Sequence, residues 1–95
     1  MISDSDSLDK EFLRALTLLY VEDDSVVLEH GAEFLRHLVG TVITAASGEE
    51  GLAKFRERSV DVVVTDILMP GMNGLTMVEE IRKTKSRVPV IVTYR

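Results

Sequence analysis

Apolar residues in this chain fall into two alternating rhythms. Four short β-rich runs, TLLYV at 17–21, TVITAA at 41–46, VVV at 62–64 and VIVT at 90–93, are unbroken and too short for helices. Runs of this kind suit strands of a parallel sheet covered on both faces. Between them the apolar positions recur at helical spacing. Val27, Leu28, Phe34, Leu35 and Leu38 give one buried stripe, stopped by Gly40, with Ser25 available as its N-cap. Gly31 lies inside that stripe and weakens the helix by ~1 kcal/mol relative to Ala, so close packing on the sheet is the reason expected for it. Leu52, Ala53 and Phe55 form a second apolar face behind Ser47-Gly48-Glu49-Glu50, which has capping-box spacing from Ser47 to Glu50. Leu75, Val78 and Ile81 form a third, in a helix starting near Leu75, with Lys83, Lys85 and Arg87 near its negative end. Ahead of all these, Leu8, Phe12, Leu13 and Leu16 predict a short helix over 9–15, capped by Ser7 or Asp9. The Ser/Asp-rich lead at 1–7 reads as disordered. Strand and helix thus alternate four times. Right-handed crossovers then make a parallel, doubly wound α/β sheet over residues 17–95, with 1–16 as an N-terminal extension.

The polar residues that interrupt this pattern concentrate where strands end. The stretch at 61–74 reads DVVVTDILMPGMNG: a buried strand, a carboxylate at its C-terminal tip in Asp66, and then turns marked by Pro70, Gly71 and Gly74. The first strand ends likewise, in Glu22-Asp23-Asp24. Neighbouring parallel strands would bring both groups to the sheet edge where open α/β folds bind ligands. Like charges so close repel unless a cation neutralises them, and a cluster of hard oxygens suits Mg²⁺.

Composition narrows the chemistry. Across 95 residues, 45% of them hydrophobic, 11 basic and 16 acidic side chains leave a net charge of −5, which argues against nucleic-acid or anionic-membrane binding by this segment. With no Cys, disulfides, thiolate chemistry and Cys-based zinc sites are excluded. His30 and His37 stand seven apart and read as helix-surface residues rather than a metal pair. No basic lead precedes an apolar core at the N-terminus, and no stretch approaches eighteen apolar residues, so the expected setting is soluble and cytoplasmic.

YVEDD at 20–24, together with D-x-x-M-P-x-x-N-G at 66–74, resembles the receiver domain of two-component response regulators. The capped helix start at Ser47 and the V-P-V-I-V-T run fall at matching places, and the resemblance covers about Thr17 to Thr93. It implies a flavodoxin-like fold with strand order 2-1-3-4 followed by a fifth strand. It also implies that Asp66 is a phosphoacceptor that holds Mg²⁺ together with Glu22 and Asp23, Asp23 as a direct ligand and Glu22 through water. The backbone carbonyl of Leu68 would complete the protein ligands. The phosphoryl donor would be a sensor histidine kinase or a phosphotransfer protein, and the domain would be a signalling module rather than a conventional enzyme.

Two features depart from the family pattern. The family's switch hydroxyl closes its fourth strand, at the fifth residue after a proline; counting from Pro89 that residue is Tyr94, while Thr93, the candidate hydroxyl, lies one earlier. The family's fifth-strand Lys has no counterpart in this sequence, which reads as a receiver incomplete at its C-terminus. Other readings therefore stand beside the phosphoacceptor: an interaction module on the same scaffold that turns over no phosphate, and a Mg²⁺-dependent phosphatase of the haloacid-dehalogenase type. The latter wants Asp-x-Asp after the first strand, where this chain has Glu22-Asp23-Asp24-Ser25. A fourth strand without an outer neighbour would expose an open β-branched edge, so a homodimer or larger assembly through residues 90–93 is expected.

Overall fold

The computed structural model describes residues 4–84 and 87–94, and in it each apolar run becomes a strand. The order is α1 (Asp4–Arg14), β1 (Thr17–Val21), α2 (Ser25–Arg36), β2 (Thr41–Ala45), α3 (Gly48–Glu57), β3 (Val62–Asp66), α4 (Gly74–Thr84) and β4 (Val90–Thr93). The strands form one parallel sheet in the order β2-β1-β3-β4. Alternation along β1 shows why both faces must be covered. Leu19 and Val21 join Ile43, Val63, Phe55, Met77 and Ile81 in one cluster, under α3 and α4. Leu18 and Tyr20 join Val64 and Ala32 in the other, under α2. The doubly wound architecture follows from these two dry faces. Among the described residues no helix is long and apolar enough to cross a membrane.

Gly31 is where the sequence places a close approach. A Cβ there would lie 2.5 Å from the Tyr20 hydroxyl, so any larger residue would have to displace the Tyr20 ring for α2 to settle on β1. Elsewhere the helices are turned slightly from the predicted stripes. On α2, Ala32 is the buried residue, with Leu28 and Leu35 packed beside it, whereas Phe34 is 63% and Leu38 43% exposed. The spacing 28, 32, 35 is the true i, i+4, i+7 face, and the small Ala32 is its fully buried member. On α4, Met77 and Ile81 are buried one turn apart while Leu75 is 53% exposed, because the helix starts at Gly74 and its phase follows Met77. On α3, Leu52 and Phe55 are buried as expected, but Ala53 faces solvent.

Helix ends supply three further corrections. Asp24, not Ser25, is the N-cap of α2, its extended backbone letting Oδ1 accept from the Val26 and Val27 N–H groups at 3.0 and 3.1 Å. Helix α1 begins at Asp4 rather than Asp9, so Ser7 and Asp9 lie within it rather than at its start. The strand expected over 41–46 stops at Ala45, because the Ala46 N–H donates to Glu50 Oε1 at 2.9 Å instead of to a strand. Lys85 and residues 1–3 lie outside the described residues.

The predicted capping box at the start of α3 forms in a variant shape. Ser47 Oγ accepts from the Glu50 N–H at 3.0 Å, while Glu50 reaches one residue further back, to Ala46. Glu50 also pairs with Lys54 at 2.8 Å. Hydrogen bonding from the Lys54 ammonium, then from the Ala46 N–H, holds the Glu50 carboxyl below its ordinary range. A carboxylate whose folded pKa is depressed stabilises the fold above its unfolded value and loses that contribution as pH falls. Glu50→Gln is therefore expected to lower the urea midpoint at pH 7, with the gap to wild type closing as pH falls below about 4. A gap independent of pH would show that the carboxylate charge has no part in the cap.

Candidate functional site

Residues 18–21 of β1 pair with residues 62–65 of β3, the last pair being Val21 and Thr65. Glu22 and Asp66 are the next residues on each strand, so this register sets the two acids side by side. Both are 2% exposed, while Asp23 is more open. Glu22, Asp23 and Asp66 each offer a carboxylate oxygen, and these three atoms lie within 4.8 Å of one another. Backbone N–H groups orient the two buried acids: Asp24 donates to Glu22 Oε2 at 3.0 Å, and Leu68 donates to Asp66 Oδ1 at 3.2 Å.

The donor set is three carboxylates of hard oxygen, confined to a space one small cation can bridge. It fits Mg²⁺, which takes one or two carboxylates and keeps room for water and phosphate oxygens. Leu68 stands two residues beyond Asp66 with its side chain 72% exposed and its N–H on the Asp66 carboxylate, so the backbone expected to contribute a carbonyl runs beside the acids. His30 and His37 are exposed on α2 and at its C-cap, away from this group, as the sequence implies.

Register also separates Thr93 from Tyr94. Thr93 is the strand partner of Asp66. Partners in a parallel pair project to the same face, so the Thr93 hydroxyl shares the side of the sheet on which Asp66 lies. It donates to the Thr65 carbonyl at 3.4 Å. Tyr94 follows the strand and is 80% exposed. Counting residues from Pro89 points at Tyr94; pairing of β3 with β4 points at Thr93.

Sequence reasoning missed how the turn after Asp66 is anchored. Glu49, on the first turn of α3, accepts from the Met72 N–H at 3.3 Å across 23 residues of chain. Asn73 Oδ1 accepts from the Thr76 N–H at 2.9 Å and so starts α4. The Asn73 contact could be read from Asn-Gly before a helical stripe, but nothing in the local pattern signals the Glu49 contact.

The profile of the response regulator receiver domain family matches residues 18–94. The chain is 39% identical over 77 residues to the protein named "Probable C4-dicarboxylate response regulator DctR" of Bacillus subtilis, an alignment covering 79% of this chain and 34% of that one. It spans about a third of the length of the curated relatives it matches first. Among solved structures, the response regulator TrrA of Thermotoga maritima in complex with Mg(2+)-BeF superposes with a TM-score of 0.78 at 36% identity, over 83% of this chain and 69% of that one. A CheX-CheY-BeF3-Mg+2 complex from Borrelia burgdorferi gives a TM-score of 0.77 at 27% identity, over 83% and 61%.

Proposed function

The chain belongs to the response regulator receiver domain family, and from that premise we propose that Asp66 accepts a phosphoryl group from a phosphohistidine of a sensor kinase or phosphotransfer protein in the cytoplasm. One observation carries the proposal: the β1–β3 register holds the carboxylates of Glu22, Asp23 and Asp66 within 4.8 Å at the C-terminal edge of the sheet. The likeness to a receiver solved with Mg(2+)-BeF supports it. A net charge of −5 favours protein partners over nucleic acid.

In the transfer, an Asp66 carboxylate oxygen attacks phosphorus and forms the P–O bond of an acyl phosphate. The P–N bond to the donor imidazole breaks, and the freed nitrogen takes a proton. Asp23, Glu22 through water, and the Leu68 carbonyl would hold Mg²⁺ beside Asp66. When bound, the ion neutralises the charge that gathers where a carboxylate meets a phosphoryl group. The Leu68 N–H, already on Asp66 Oδ1, fixes the orientation of the carboxylate. Thr93, the strand partner of Asp66 with its hydroxyl on the Thr65 carbonyl, would turn toward a phosphoryl oxygen. Hydrolysis of the acyl phosphate returns the site to its starting state.

Incubation with acetyl phosphate and Mg²⁺ is expected to add one alkali-labile phosphoryl group, read by intact mass, which Asp66→Asn abolishes. No addition to the wild-type chain, or addition that persists in Asp66→Asn, would contradict the assignment.

We further propose that two copies associate through β4. This strand lies at the sheet edge with Ile91 55% exposed. Beside it, Phe12, Leu35, Leu38, Val62, Val64 and Ile91 line an apolar groove of about 360 Å³. Pairing of edges recovers backbone hydrogen bonds and covers that groove together. Light scattering over a dilution series should show dimers dissociating, with Ile91→Lys monomeric throughout. A wild-type monomer at every concentration would rule the association out.

A further inference from the structure

The turn that follows Asp66 is fastened at both ends. At its base, the Gly74 N–H donates to the Ile67 carbonyl at 3.0 Å, and a Cβ on Gly74 would lie 2.2 Å from the Asp66 carbonyl oxygen. Beside that base the Leu68 N–H rests on Asp66 Oδ1. At the tip, Glu49 reaches over from α3, its Oε2 accepting from the Met72 N–H at 3.3 Å. The same oxygen would lie 2.8 Å from a Cβ on Gly71, whose φ of 73° is one that side chains rarely adopt. Gly48, next to Glu49, completes the contact: a Cβ there would lie 2.4 Å from the Met72 carbonyl oxygen. The absence of side chains at Gly48 and Gly71 therefore lets α3 and the turn meet, and Glu49 ties them.

We propose that Glu49 is a positioning residue for the Asp66 site. By holding the Met72 N–H it sets the path of residues 68–73, and so the orientation of the Leu68 peptide. Leu68 has its N–H, in the peptide shared with Ile67, on Asp66, and its carbonyl, in the next peptide along the same turn, is the one assigned to the cation. Glu49 touches neither phosphoryl group nor cation. Its contact is exposed, so an orphaned Met72 N–H can turn to water at little cost in global stability while the turn loses its fixed path. The inference rests on the reading of Glu22, Asp23 and Asp66 as a cation-assisted phosphoacceptor site. Two substitutions separate the hydrogen bond from the charge: Glu49→Gln keeps an acceptor oxygen and drops the charge, whereas Glu49→Ala drops both.

Mg²⁺ titrations followed by amide NMR shifts, with urea midpoints and metal-free shifts for the same proteins, test the proposal. Glu49→Ala should weaken Mg²⁺ binding roughly tenfold. It should also move the metal-free Leu68 and Met72 amide shifts, with the urea midpoint close to wild type. Glu49→Gln should restore both affinity and shifts. The proposal is overturned if Glu49→Ala binds Mg²⁺ as wild type does. It is equally overturned if Glu49→Gln is as weak as Glu49→Ala, or if the affinity loss merely tracks a loss of stability. Wild type showing no saturable Mg²⁺ binding would defeat the site reading instead. In that event the metal-free shifts decide alone, and a Leu68 amide unmoved in Glu49→Ala overturns the positioning role.

Discussion

Three carboxylates lie within 4.8 Å at the end of two neighbouring strands, two of them almost wholly buried. Charges at that separation repel by on the order of 3 kcal/mol per pair at the effective dielectric of a protein. Side chains on a yielding scaffold would swing apart into water. Here the backbones beneath them are locked side by side: β1 and β3 pair continuously up to Val21 and Thr65, and Leu19, Val21, Val63 and Thr65 are wholly buried around that seam. The core of the domain is thus what holds the acids together, with three carboxylate oxygens close enough for one small cation to bridge.

The surrounding turns repeat one device, a carboxylate that gathers backbone N–H groups. Glu22 takes the Asp24 N–H, and Asp24 in turn takes those of Val26 and Val27 and begins α2. Asp66 takes the Leu68 N–H, and Glu49 takes that of Met72 in the same turn. Loops that would otherwise be free to move are therefore set by the acids they carry or face. The chemistry of the site and the order of its loops depend on the same residues.

Much of this was legible in the sequence, because strands buried on both faces have to be unbroken apolar runs. The four runs follow from that requirement, the acids stand where two of them end, and Gly31 was legible as a glycine inside a helical stripe that must pack on the sheet. Helix faces were less legible. Phe34 and Leu75 look like stripe residues by hydropathy, yet a small side chain, Ala32, and a flexible one, Met77, lie closer to the sheet. Asp24 and Ser25 are equally good caps on paper, and only the bend after Glu22 decides for Asp24. That Thr93 rather than Tyr94 stands opposite Asp66 follows from the pairing of β3 with β4, which counting along one strand does not supply. Glu49 was invisible for a related reason: its partner lies 23 residues away, and no local pattern connects them.

If the β1–β3 register holds like charges at a cost that a bound cation relieves, the unfolding free energies of wild type and Asp23→Asn, each measured in chelator and in saturating Mg²⁺, will differ in a definite pattern. Asp23→Asn is expected to be more stable than wild type in chelator, by on the order of 1 kcal/mol or more. Mg²⁺ is expected to stabilise wild type by clearly more than it stabilises the variant. A variant less stable than wild type in chelator, gaining as much from Mg²⁺ as wild type does, would show that the register holds no such cost.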